Sequence, residues 1–74
     1  MYTAAAASDG HHIEIFDENG GYVTRLCVTG SGYIIGAPMV SSKTISVQIE
    51  ERGYRYIVVY DAQTFGYLRR QSIS

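Results

Sequence analysis

Apolar side chains recur at every second position in the most regular part of the chain, and this alternation restricts the fold more than any other feature. In residues 44–50, Ile45, Val47 and Ile49 fall on one face, which is the pattern of a strand with one buried side. Residues 54–60 are mainly aromatic or β-branched, and such residues suit a pleated sheet. No segment carries a helical stripe. The sequence therefore predicts an all-β fold of five to six mostly antiparallel strands in meander order, forming a small barrel, a sandwich or a blade-like sheet.

These two stretches are expected to form a hairpin. A tight turn at residues 52–53 pairs Val47 with Val58 and Glu50 with Arg55. Apolar residues then face apolar residues and opposite charges face each other, as a correct register requires.

An earlier hairpin is indicated by Asn19-Gly20, a dipeptide typical of two-residue hairpin turns. A turn on this dipeptide pairs Ile13 with Leu26, whereas a turn one residue later pairs Ile13 with Val28. Both registers keep the apolar side chains on one face, so the face is defined while the register stays open.

Residues 54–60 are apolar on both faces, because Tyr56 and Val58 alternate with Ile57 and Val59. A strand of this kind requires cover on both sides, from a second sheet, the far wall of a barrel or another subunit. We expect an interface on the second side, which an aspartate at Val59 would disrupt. Its residues are predicted to be Ile57, Val59, Tyr33, Ile34 and Ile35.

The chain is short, with 74 residues and a net charge of −1. Residues 1–10 are expected to be a flexible lead-in and residues 11–74 a single domain. A core of this size supplies about 3–5 kcal/mol, and the lone Cys27 cannot form an intramolecular disulfide. A free thiol is usual in a reducing compartment, and no apolar run is long enough to span a membrane. A cytoplasmic protein without membrane contact is the expectation.

Residues 15–23 and 59–68 share an order of residue types: β-branched, aromatic, Asp, turn, Gly, Tyr, apolar. Their aspartates, Asp17 and Asp61, are 44 positions apart. A period of about 40–45 residues is typical of four-stranded propeller blades.

Residues 57–68, Ile-Val-Val-Tyr-Asp-Ala-Gln-Thr-Phe-Gly-Tyr-Leu, resemble the "strand, Asp-Ala-x-Thr-Gly, strand" unit of quinoprotein-type and WD-like β-propellers. Residues 36–47 are similar to the strand that precedes this unit, so that the resemblance covers roughly residues 12–70. Phe65 interrupts the Thr-Gly of the pattern, and the closing Trp is missing. The resemblance implies self-assembly or addition to a partner, because repeat units bury their faces against neighbouring units.

Candidate chemical groups are few. His12 and Glu14 share a strand face next to His11, and Cys27 lies opposite His12 in one of the two registers. A metal site needs a complete ligand set, and a thiol nucleophile needs a base and an orienting group. The sequence provides neither, so we expect no metal, no cofactor and no catalytic residues.

The sequence thus predicts a non-catalytic protein-interaction or assembly module that forms a homo-oligomer. One alternative is a small barrel that stacks single-stranded nucleic acid on tyrosines beside arginines, although the near-neutral charge disfavours it. A metal- or thiol-dependent enzyme is the third reading. The residues of the nucleic-acid alternative are Arg52, Arg55, Tyr67, Arg69 and Arg70.

Overall fold

A computed structural model describes residues 1–73, which contain no helix and hence none long and apolar enough to cross a membrane. The all-β expectation is confirmed, but there are seven strands rather than five to six. They are β1 (Thr3–Ala6), β2 (His12–Phe16), β3 (Tyr22–Cys27), β4 (Tyr33–Val40), β5 (Thr44–Glu51), β6 (Tyr54–Asp61) and β7 (Tyr67–Ser72).

The strand that the sequence did not predict is β1, inside the segment expected to be a lead-in. It pairs antiparallel with β2, with Ala4 opposite Ile15 and Ala6 opposite Ile13. Alanine is depleted in strands, and the run of alanines in β1 shows no alternation. The strand is defined by its backbone hydrogen bonds to β2. Such bonds leave no pattern of side chains from which the strand could be predicted.

The strands form two antiparallel sheets, ordered β1-β2-β3 and β4-β5-β6-β7, which do not close into a barrel. The register predicted for the β5–β6 hairpin is confirmed, since Val47 lies opposite Val58. In the β2–β3 hairpin, Ile13 lies opposite Leu26. The structure therefore selects the register that turns on Asn19-Gly20.

The core lies between the two sheets. Ile13 and Ile15 of β2 and Ile45, Val47 and Ile49 of β5 are all 0% exposed and belong to one apolar cluster. The alternating residues of both hairpins therefore bury their apolar faces against each other, as in a sandwich.

The two sequence repeats also have similar structures, and the similarity includes the aromatic residues of the β2–β3 and β6–β7 hairpins. Strand pairing shifts register immediately before Phe16 in β2 and immediately before Tyr60 in β6. After each shift the ring meets a tyrosine of the next strand edge-on, with centroids 6.2 Å apart for Phe16–Tyr22 and 5.9 Å apart for Tyr60–Tyr67. The β2–β3 and β6–β7 hairpins thus share one bulged geometry.

The turns of these two hairpins are also alike. The Asp17 carboxylate accepts two backbone N–H bonds within its turn, at 2.9 and 2.8 Å, and the Asp61 carboxylate accepts two at 2.7 and 2.9 Å. The N–H of Thr64, followed by that of Gln63, lowers the pKa of Asp61 from its ordinary value, because these bonds favour the charged form. Both aspartates therefore form Asx-type turns.

Candidate interaction surface

The four-stranded sheet has an inner face against the three-stranded sheet and an outer face directed away from it. Residues paired directly across a sheet lie on the same face, so Ile57 shares the outer face with Gln48 and, through it, with Ile35. The next row contains Val59, Ser46 and Met39 by the same pairing. The outer face comprises Tyr33, Ile35, Met39, Thr44, Ser46, Gln48, Glu50, Arg55, Ile57, Val59, Asp61, Arg69 and Gln71.

The outer face brings together four of the five residues of the predicted interface. Tyr33 is 63% exposed and stacks on the ring of His11, while Ile35 and Ile57 are half-buried. Val59 is only 4% exposed within the single chain. Ile34 lies instead on the inner face, opposite Ile49, and packs against the core. The side chains available to a partner are therefore those of Tyr33, Ile35 and Ile57, together with Met39.

The repeat relates this outer face to a surface that the chain already buries. Ile13 and Ile15 of β2 are 44 positions before Ile57 and Val59 of β6. The first pair is fully buried against the four-stranded sheet, whereas the second pair faces away from the three-stranded sheet. A surface that packs against a sheet in the first repeat is thus presented outward in the second.

The three-stranded sheet also exposes a face whose counterpart in the other repeat is buried. Its side away from the core, which we call the back face, carries His12, Glu14, Phe16, Arg25 and Cys27. Since His12, Glu14 and Phe16 are 44 positions before Tyr56, Val58 and Tyr60, the back face corresponds to the inner face of the four-stranded sheet.

The groups considered for metal or thiol chemistry lie on and beside the back face. His12 Nδ1 is 2.7 Å from Asp9 Oδ2, and Arg25 Nη2 donates to the same oxygen at 3.1 Å. The thiol of Cys27 lies across the strands from His12, but it donates to the backbone carbonyl of Thr29 at 3.6 Å. Within residues 1–73, no three histidine, cysteine or acidic side chains are placed to hold a metal ion.

Asp9 is a residue that the sequence reasoning missed. Its carboxylate accepts the backbone N–H groups of His11 and His12, at 2.8 and 3.2 Å. The bond from His11, followed by those from His12, lowers the pKa of Asp9 to about 2. Asp9-Gly10 ahead of two histidines is a turn signal, and this signal could have predicted a turn closed by the Asp9 carboxylate.

The residues of the nucleic-acid alternative do not form one patch. Arg55 and Arg69 belong to the outer face, whereas Tyr67 and Arg70 of β7 lie on the inner face, opposite Tyr60 and Val58 of β6. Arg52 occupies the β5–β6 turn, with φ of 53°. The set is therefore divided between two opposite faces and a turn.

Tyr67 and Arg70 line an open cleft of ≈ 480 Å³ between β7 and the β3–β4 loop. The Arg70 guanidinium carbon lies 4.1 Å from the centroid of the Tyr56 ring, a cation–π contact. Tyr56 donates its hydroxyl to Glu51 at 3.0 Å, and Ser31 donates to the same carboxylate at 2.8 Å. These bonds, that of Ser31 first, lower the pKa of Glu51. The two charged groups of the cleft, Arg70 and Glu51, are thus both already engaged with Tyr56.

Comparisons of the chain with protein-family models, with curated proteins and with solved structures find no match.

Proposed function

We propose that this chain is a non-catalytic interaction module that self-associates through the outer face of its four-stranded sheet. One observation carries the proposal: Ile57 and Val59 occupy in the second repeat the positions that Ile13 and Ile15 occupy in the first. In the first repeat the surface formed by these residues is covered by a sheet of the same chain. In the second repeat Val59 is 4% exposed within the single chain, whereas Ile57 is half-buried, so the part of this surface left for another molecule to cover lies at Ile57 and its exposed neighbours.

Exposed apolar area on the outer face supports the proposal. Met39 is 69% exposed and Tyr33 is 63% exposed, and both lie beside the half-buried Ile35 and Ile57. Removing apolar surface from water contributes roughly 25 cal/mol per Å². Because a core of this size supplies only about 3–5 kcal/mol, burial of the outer face would add substantially to the stability of the fold.

We also propose that the two repeats are blade-like units of the propeller type. The shared bulge, the edge-on aromatic pair and the aspartate-closed turn support this relationship. Units of a repeat architecture are stabilised by neighbours on both sides. Each repeat of this chain has one neighbour within the chain, so the relationship calls for a further neighbour at the outer face.

The absence of a catalytic role is part of the same proposal. A thiol nucleophile requires a base within hydrogen-bonding reach, whereas the Cys27 thiol donates to the Thr29 carbonyl and the His12 ring nitrogen contacts Asp9. The thiol of Cys27 and the imidazole of His12 thus each contact a different residue and do not contact each other.

The test replaces an apolar residue of the outer face with a charged one. Ile57→Lys places an ammonium group in the centre of the proposed interface, where its desolvation opposes association. Tyr54→Lys is the matched control, because Tyr54 lies on the same strand, belongs to the other face and is 70% exposed.

We expect Ile57→Lys to lower the solution mass measured by light scattering during size-exclusion chromatography, and Tyr54→Lys to leave it unchanged. Circular dichroism confirms that each variant is folded. A folded Ile57→Lys variant with the mass of the wild-type protein would show that the outer face is not the interface. Val59 is a poor probe, because a charge at this buried position would disturb the fold itself.

A further inference from the structure

We infer that the outer face binds the back face of a second copy, so that the chains assemble head to tail. This inference rests on the self-association proposed above and specifies the partner surface. The alternative arrangement is a two-fold dimer in which two outer faces meet each other.

The repeat provides the first argument. Within the chain, the Ile13 and Ile15 surface packs against the inner face that carries Tyr56, Val58 and Tyr60. The residues 44 positions after Ile13 and Ile15 lie on the outer face. The residues 44 positions before those of the inner face lie on the back face. An outer face placed on a back face therefore reproduces, between molecules, the sheet packing that exists within one molecule. Two outer faces placed together reproduce nothing in the structure.

Charge provides the second argument. Glu14 lies in the middle of the back face and is half-buried, yet its side chain makes no hydrogen bond or ion pair with any residue of the range 1–73. Arg69 lies on the outer face beside Val59, and its guanidinium likewise has no partner within that range. In a head-to-tail contact an unpaired carboxylate faces a surface with an unpaired guanidinium. A contact between two outer faces offers Arg69 no unpaired carboxylate, because Glu50 of that face pairs with Arg55 and the carboxylate of Asp61 accepts the backbone N–H groups of its own turn.

The geometry of such an assembly follows from the two different surfaces. A contact between unlike surfaces is heterologous, so every copy uses both faces, and the chains form a ring if the rotation between copies closes. A discrete mass in solution corresponds to a closed ring, and a mass that grows with concentration corresponds to an open filament.

The experiment uses the full chain with charge reversals at these two residues. Glu14→Arg blocks the back face, and Arg69→Glu blocks the outer face. Lys43→Glu, an exposed charge reversal in the β4–β5 turn, is the matched control. Neither target side chain has an ion-pair partner within residues 1–73, so the reversals remove no ion pair of the single chain. Glu14→Arg does place a second cation opposite Arg25, and circular dichroism therefore checks that each variant is folded. The solution mass of each variant, of an equimolar mixture and of the double variant is measured by light scattering.

We expect each single variant to lose the wild-type oligomer while Lys43→Glu retains it. In the equimolar mixture, Glu14 of one variant faces Arg69 of the other at one junction, and the introduced Arg and Glu face each other at the next. The mixture therefore assembles into oligomers in which the two variants alternate, with masses that are multiples of the 8.2 kDa chain. The double variant regains the mass of the wild-type oligomer, because the exchanged charges again oppose each other.

Three results overturn the inference. Retention of the oligomer by Glu14→Arg, with its loss in Arg69→Glu, would show that two outer faces meet. Two monomeric variants whose mixture remains monomeric would show that neither face complements the other. A wild-type protein that is monomeric throughout would refute the proposed function itself, whereas the first result leaves self-association in place and refutes only the head-to-tail arrangement.

Discussion

The buried contact between the sheets can be tested by removing one methyl group from Ile15. Ile15 is 0% exposed and belongs to the apolar cluster that joins the two sheets. Replacing a buried isoleucine with valine costs about 0.5–1.5 kcal/mol, from lost transfer energy and from the cavity that remains. Because Ile15 is completely enclosed, we expect a value of about 1 kcal/mol. For a chain of 60–100 residues this corresponds to a fall in Tm of about 4–8 °C.

Ile73→Val removes the same methyl group from a residue that is 42% exposed and is the matched control for Ile15→Val. Thermal unfolding is followed by circular dichroism at one protein concentration for wild type and both variants, since self-association makes Tm depend on concentration. We expect Ile73→Val to lower Tm by much less than Ile15→Val. Equal shifts for the two variants would contradict the assignment of Ile15 to a tightly packed core between the sheets.

Two further predictions concern the turns. Gly32→Ala should destabilise the fold by about 1–3 kcal/mol as an overpacked substitution, because an added Cβ would lie 2.8 Å from the backbone oxygen of Glu50. Gly30→Ala, with nothing within 4 Å of its added Cβ, should leave urea denaturation unchanged or slightly improved, and equal losses would refute the close approach. The Asp9 carboxyl should titrate by NMR near its lowered pKa of about 2. Its stabilising effect is complete above the ordinary pKa of 3.8 and disappears as pH falls towards 2. The Asp9→Asn variant should lack this part of the acid sensitivity. An NMR titration midpoint of the Asp9 carboxyl near 3.8 would contradict the hydrogen bonds that this carboxylate accepts in its turn.

The β5–β6 hairpin could be predicted from sequence because alternation, turn and charge all favour one register. Strand β1 could not, because its alanines carry no pattern and its position depends on backbone pairing with β2. Ile34 does not belong to the interface predicted with Tyr33 and Ile35, because neighbouring residues of a strand lie on opposite faces and Ile34 lies opposite Ile49 of the core.

The functional surfaces were less accessible to sequence reasoning. The repeat was visible in the residues, but it did not reveal that Ile13 and Ile57 occupy faces that are buried in one sheet and outward in the other. That relationship depends on how the two sheets stack. Likewise, the sequence does not show that Arg25, the cross-strand neighbour of Glu14, binds Asp9 instead. This contact leaves the carboxylate of Glu14 available.

The central claim, that a second molecule covers the outer face, is tested most directly by the solution mass of the wild-type chain. The measurement is light scattering during size-exclusion chromatography over a wide range of concentrations. We predict a mass that is a multiple of the single chain's 8.2 kDa, formed by molecules that circular dichroism shows to be rich in β-structure. A folded protein that keeps the mass of one chain at every concentration would contradict the claim.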